Sequence, residues 1–174
     1  MATADGVRLI EYNARFGDPE AMNVLPILKT NFVEVCEAIL HGNLNALKIE
    51  FEKKATVCKY IVPEGYPEKP KSGEKIEVRH GELVESMAQR RTLRQAQGDI
   101  KMYYASVDQK DDGLYLSSSR AIAFVGIADT LEQAEKIAEA ACGCVKGPVF
   151  HRKDVGTHAL IQKRIAMMNK LRNY

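Results

Sequence analysis

Hydrophobic and polar positions change their period several times along this chain, and each change marks an element. Over residues 7–13, Val7, Leu9 and Tyr12 stand against Arg8, Glu11 and Asn13, with Ile10 out of phase, which predicts a strand. Asp5-Gly6 just before it is a turn signal, so a hairpin is expected there with its first strand upstream. Only four residues precede that turn, so the partner strand is expected to be missing. From Asn31 the period lengthens: Phe32, Val35, Cys36, Ile39 and Leu40 recur at helical spacing, Asn31 with Glu34 makes a capping-box-like start, and Gly42 can end the helix.

Further on, residues 55–62 are rich in strand formers and run into the turn cluster Pro63-Glu-Gly-Tyr-Pro67, with a short strand expected at 75–79. Residues 101–107 and 114–118 read as strands around a turn at 108–113, marked by Asp112-Gly113. Residues 121–128 form an uninterrupted apolar run and predict a buried strand. Thr130 and Gln133 open a helix whose face is Leu131, Ala134, Ile137, Ala138 and Ala141, and a last helix from about Thr157 should bury Leu160, Ile161, Ile165 and Met168. Tyr103, Tyr104, Tyr115 and Phe124 fall on these strands as core and sheet surface. The stretch 84–98 breaks the pattern, with Arg90, Arg91, Arg94 and three glutamines but little apolar period, and reads as a solvated loop or exposed helix. The fold class is α+β.

Composition narrows the functions open to such a fold. In 174 residues, 45% hydrophobic and 28% charged, 25 Lys plus Arg face 23 Asp plus Glu, for a formal charge of +2. That balance leaves no electrostatic footprint for nucleic acid. The apolar run 121–128 is far too short to span a membrane, and the first residues lack the basic start and apolar run of a signal peptide. Four cysteines, Cys36, Cys58, Cys142 and Cys144, make no disulfide framework, which points to a soluble, reduced, cytoplasmic protein. Cys142-Gly-Cys144 with His151 and His158 has no common zinc-finger spacing and reads as buried thiols. Arg152-Lys153-Asp154 reads as a turn with an internal ion pair docking the last helix, or as a contact with a ligand cleft.

The densest chemistry lies in Glu11-Tyr-Asn-Ala-Arg-Phe-Gly-Asp-Pro-Glu20. Two residues apart on a strand, Glu11 and Asn13 project from one face. A carboxylate and an amide oxygen so placed suit a hard cation such as Mg2+ that shares its ligands with phosphates. Arg15 keeps the same parity and can clamp phosphate oxygens. Asp18 before Pro19 fits a helix N-cap with proline at the first helical position. An exposed strand end with a polar rim would present the same residues, and composition alone does not separate the two readings.

The order of residues adds to this. Glu11-Tyr-Asn-Ala-Arg-Phe-Gly-Asp-Pro-Glu-Ala-Met-Asn resembles the signature of the phosphoribosylamine–glycine ligase family, in its archaeal form. Further matches follow in order: Lys54-Ala-Thr-Val-Cys-Lys-Tyr-Ile-Val-Pro-Glu-Gly-Tyr-Pro67, Ser118-Ser-Arg-Ala-Ile-Ala, and Gly147-Pro-Val-Phe-His-Arg-Lys-Asp-Val-Gly-Thr157. The resemblance is weakest at 84–98, which would be an insertion. It implies the C-terminal piece of an ATP-grasp domain over residues 1–49, followed over 50–174 by a small C-terminal domain of mixed antiparallel sheet and helix. It implies an ATP-dependent enzyme of de novo purine synthesis that joins glycine to 5-phosphoribosylamine through a glycyl phosphate, releasing ADP and phosphate. By the family pattern Glu11 and Asn13 would hold Mg2+ (or Mn2+) against ATP, Arg15 would steady the transferred phosphoryl group, and Asp18 would contact substrate. Family members are far longer, so the chain is expected to need a missing N-terminal half and to be inactive alone. The alternative is a noncatalytic interaction module, or a split-enzyme subunit, that keeps this fold.

Overall fold

A computed structural model describes residues 1–3, 5–79 and 98–172. The reading of 84–98 falls outside these, apart from Gly98. Four α-helices and three antiparallel sheets make up the described residues, an α+β fold.

At the start, β1 (Ala2–Thr3) pairs with β2 (Gly6–Val7) in the register Ala2↔Val7 and Thr3↔Gly6. The turn is where Asp5-Gly6 places it, and Gly6 takes φ 112°, open to glycine and costly for other residues. Two expectations are corrected here. The upstream partner strand is present, and the strand expected over 7–13 ends at Val7. Arg8 still exchanges main-chain bonds with Met1, at 2.8 and 2.6 Å, but residues 9–14 take no regular structure. Alternation becomes a strand only where a neighbour supplies the ladder, and none of the described residues lies alongside.

Next come α1 (Glu20–Val24), a 3-10 turn at Leu25–Ile27, and α2 (Phe32–Leu40). Asn31 caps α2 as expected, its side chain accepting from the Val33 amide at 2.9 Å. Of the expected apolar face, Val35 is buried and Cys36 half-buried, while Phe32, Ile39 and Leu40 stand exposed. The chain then returns to pair Phe51 with Leu28, and the Glu50 carbonyl accepts from the Lys29 amide.

The centre is a four-stranded sheet in the order β10 (Val149–His151), β3 (Ala55–Pro63), β8 (Ile122–Ala128), β5 (Gly98–Tyr104), every pair antiparallel. All seven residues of β8 are buried, as the apolar run predicts. Helix α3 (Leu131–Cys142), capped by Thr130, covers one face with Ala134, Ile137, Ala138, Ala141 and Cys142; Leu131, expected on that face, is exposed. Gly126 lets helix and strand meet, since a Cβ there would lie 2.0 Å from the Ala134 carbonyl oxygen. On the other face Cys58, Ala123, Val125 and Ile127 pack against Met22, Ile27, Tyr60 and Tyr103, so α1 and the turn after it roof the sheet.

A second four-stranded sheet runs β6 (Val107–Lys110), β7 (Gly113–Leu116), β4 (Lys75–Val78), β9 (Val145–Lys146). The hairpin expected around 108–113 forms from β6 and β7, with Lys110 opposite Gly113. Its first strand was expected over 101–107. Instead β5 leaves the central sheet at Tyr104 and β6 starts the second one at Val107, so the chain changes sheets between them. Ile76, Leu116 and Val145 join Ile61, Ile122, Phe124 and Cys142 in one core that ties the sheets together. Burying side chains such as Phe124, Ile61 and Leu116 contributes roughly 2 kcal/mol each.

Helix α4 (His158–Arg172) starts at Thr157, whose hydroxyl accepts from the Leu160 amide at 3.3 Å. Its expected burial is corrected: none of its residues is buried, Leu160, Ile161 and Met168 are half-covered, and Ile165 is 46% exposed. The spacing makes an apolar stripe, yet a stripe is buried only where another element meets it.

Candidate functional site

Residues 11–18 form an open, irregular segment that meets the roofed face of the central sheet at Asp18. Glu11 and Asn13 lie side by side even without the expected strand, with the Asn13 amide donating to Glu11 Oε1 at 3.2 Å, and both are exposed. Arg15 is exposed too, its guanidinium held loosely by the Phe16 carbonyl at 3.2 Å. The rings of Phe16 and Phe32, 5.7 Å apart and tilted by 55°, lean the segment on α2.

Asp18 does something the sequence does not announce. The cap position of α1 is Pro19, with no side-chain cap bond, so the N-cap reading of Asp18 is corrected. Its carboxylate turns to the sheet: Tyr60 Oη donates to Oδ1 at 2.7 Å, and Arg120 Nη2 makes an ion pair with Oδ2 at 3.0 Å. Arg120 Nη1 also donates to the Asp18 main-chain carbonyl at 3.3 Å, and the guanidinium lies 5.0 Å from the centre of the Tyr60 ring. Burial and the bond to Asp18 push the Tyr60 hydroxyl well above its usual range, so it remains a donor. The structure therefore gathers Asp18 with Tyr60 and Arg120, and leaves Glu11, Asn13 and Arg15 open beside them.

The donor chemistry fits a divalent cation of one kind. Two exposed oxygen donors suit an ion that completes its shell from phosphates and water. They do not make an all-protein cage, and no group of three His, Cys, Asp or Glu able to hold a metal occurs among the described residues.

On the opposite face of the sheet lies a second polar cluster that sequence reading missed. Lys59 is fully buried, and its Nζ donates to Glu135 Oε1 (2.6 Å), Glu139 Oε2 (2.7 Å) and the Lys153 carbonyl (2.9 Å). His151 Nε2 meets the same Glu139 carboxylate at 3.0 Å. Burial pulls the Lys59 ammonium down, but bonds to two carboxylates more than reverse it and leave it above its ordinary value. Burial likewise raises Glu139, and Lys59 and His151 outweigh that, holding it below the usual carboxylate range. A signal existed: Glu135 and Glu139 are four apart, one step round the helix from Ala134 and Ala138, and Lys59 interrupts an apolar strand.

Arg152 and Asp154 form the expected internal ion pair, with bonds of 2.8 and 3.0 Å. With Pro19, Tyr60, Tyr66, Pro67 and Phe150, Arg152 lines a cleft of 360 Å³ at the edge of β3. Cys142 and Cys144 are buried, and burial pushes the Cys142 thiol up to about 12, which makes it a poor metal ligand at neutral pH. No helix among the described residues is long and apolar enough to cross a membrane.

Residues 56–158 match the family described as phosphoribosylglycinamide synthetase, C domain. The phosphoribosylamine–glycine ligase of Methanobrevibacter smithii is 53% identical over 173 residues, covering 99% of this chain and 36% of that protein. The ligase of Methanocaldococcus jannaschii is 53% identical over 172 residues, with the same coverage. The chain thus spans about a third of the length of the curated relatives it matches. A solved phosphoribosylamine–glycine ligase from Thermotoga maritima superposes with a TM-score of 0.58 over 84% of this chain and 32% of its own, at 23% identity, a likeness of fold. With more than half of its length inside the family match, the chain belongs to the phosphoribosylglycinamide synthetase C-domain family.

Proposed function

We propose that this chain is part of an ATP-dependent ligase that joins glycine to 5-phosphoribosylamine, releasing ADP and phosphate, and that it works in the cytoplasm with a polypeptide supplying the remaining length of its relatives. The observation that carries this reading is identity of about half over nearly the whole chain, open segment 11–18 included, to proteins named for that reaction. Four cysteines, none of them in a disulfide, agree with a reducing compartment. In this reading residues 1–49 complete an ATP-grasp domain and 50–174 form the C-terminal domain.

Glu11 and Asn13 are the residues that would hold Mg2+ or Mn2+, which supplies charge neutralisation for the ATP phosphates. Glu11 brings the negative charge, and Asn13, bonded to it, fixes its orientation and adds a neutral oxygen. Arg15 offers a fork of donors to the phosphoryl group as it moves. Asp18 presents to substrate whatever its two partners leave free. None of these groups need act as a nucleophile; the work is positioning and electrostatics.

Mixing this chain with the separately expressed remainder of the M. smithii ligase should give ADP release that depends on both glycine and phosphoribosylamine. Glu11→Gln should then cut turnover by about a hundredfold, an effect of the size seen when one charge-stabilising group is lost. Association of two folded polypeptides without turnover would favour the noncatalytic module instead, and turnover indifferent to Glu11→Gln would remove Glu11 from the site.

A further inference from the structure

We infer that Arg120 and Tyr60 are positioning residues for the phosphate-handling segment: by gripping Asp18 they fix Glu11, Asn13 and Arg15 relative to the central sheet, and so govern turnover more than affinity. The inference rests on the ligase reading above.

The argument is one of attachment. Between Arg8 and α1 the segment has no ladder bonds, and its functional side chains are exposed. Phe16 leans on Phe32, but α2 is itself largely uncovered. Asp18, three residues beyond Arg15, is where the segment meets the buried sheet. Three residues span at most about 11 Å, so a displacement at Asp18 is felt at Arg15.

The grip is specific. Tyr60 donates to Oδ1 and one Arg120 amino group donates to the Asp18 main-chain carbonyl, while the other Arg120 amino group pairs its charge with Oδ2. A planar guanidinium that binds side chain and backbone together, while lying over the Tyr60 ring, fixes direction as well as distance. Tyr60 stands on β3, and Arg120 immediately precedes the buried run that contains β8. Strand β3 and the residue leading into β8 therefore both hold Asp18. A clamp needed only for folding could use one such contact; two hydrogen bonds and an ion pair on one residue next to the reactive segment set its geometry.

The test has two arms. In this chain alone, Arg120→Met should speed hydrogen exchange at the Ala21 and Met22 amides about tenfold while the β3 and β8 amides keep wild-type rates. In the complemented ligase at saturating ATP, glycine and phosphoribosylamine, Arg120→Lys keeps the charge and loses the fork. It should lower kcat about tenfold with KM for ATP within twofold, and Tyr60→Phe should lower kcat about threefold. A misplacement of about 1 Å is enough for losses of this order. Unchanged kcat with a lowered melting temperature would make the cluster a structural clamp and overturn the proposal. A raised substrate KM at constant kcat would overturn it differently, by putting Arg120 in contact with substrate. If the complemented wild-type chain shows no turnover, the ligase reading fails and this inference fails with it, and the exchange arm still decides whether Arg120 anchors the segment.

Discussion

Residues 1–53 and the domain that follows them are built from similar local ingredients and end in different states. Both have a turn where Asp or Gly calls for one, and both have a helix with a side-chain cap. In the domain, β8 is buried from end to end and α3 buries five residues against the sheet. Among the described residues before 54, Val35 alone is buried, while Val7, Tyr12 and Leu40 are each more than 80% exposed. Propensity and capping shape the elements; burial depends on whether another element arrives to cover them. So much uncovered apolar surface is the mark of an interface, and in the proposed reading its cover is the remaining length of the ligase.

The largest test of this contrast is Gly126→Val. A side chain there would meet the main-chain atoms of Ala134 and Ala138 at 2.0 and 2.9 Å, so α3 would have to lift from the sheet. We expect a loss of at least about 3 kcal/mol in urea unfolding, or no folded protein. A loss under 1 kcal/mol would mean the helix does not sit where described.

Lys59→Met should follow at about 3 kcal/mol, since it strands Glu135 and Glu139 without their buried cation. The figure sits at the low end for a broken buried pair because Glu139 keeps some contact with solvent. The pH dependence has two sides. Glu139 is depressed in the fold, so its contribution is complete above the unfolded carboxylate range near pH 4 and is lost as pH falls through the lower folded value. Lys59 is raised, so its contribution is complete below about pH 10 and is lost as pH climbs through the higher folded value. Wild-type unfolding should show both slopes, and Lys59→Met should flatten both.

Where a pattern is self-contained, the sequence was readable. The apolar run of β8, the caps Asn31 and Thr130, and the Arg152–Asp154 pair are each visible within a few residues, and each is found. Features that depend on distant partners were not. Residues 7–13 alternate like a strand, but beyond Arg8 none of the described residues lies alongside them. Asp18 looks like a cap because Pro19 follows it, and nothing local says that Tyr60 and Arg120, far along the chain, claim its carboxylate. The strand expected over 101–107 divides between two sheets, a choice made by β8 and β7 and not by its own residues. For the proposed site, residue order marked the open side chains, and the partners of Asp18 come only from the fold.

The finest test sets two caps of the same kind against each other. Asn31 accepts from the Val33 amide at 2.9 Å and Thr130 from the Gln133 amide at 3.3 Å, and loss of either to alanine costs about 1 kcal/mol of helix stability. Helix α3 is part of the core, so Thr130→Ala should lower the global unfolding midpoint by that full amount. Helix α2 carries an open face, so Asn31→Ala should leave the midpoint in place and speed hydrogen exchange within Phe32–Leu40 about fivefold, the factor that 1 kcal/mol commands. Adding the remainder of the ligase should move the missing cost into association, weakening it by a similar factor, because the partner must then order a helix that has lost its cap. Equal drops in the global midpoint would place α2 inside the same cooperative unit as the sheet, and the contrast between the two regions would be one of exposure without a difference in stability.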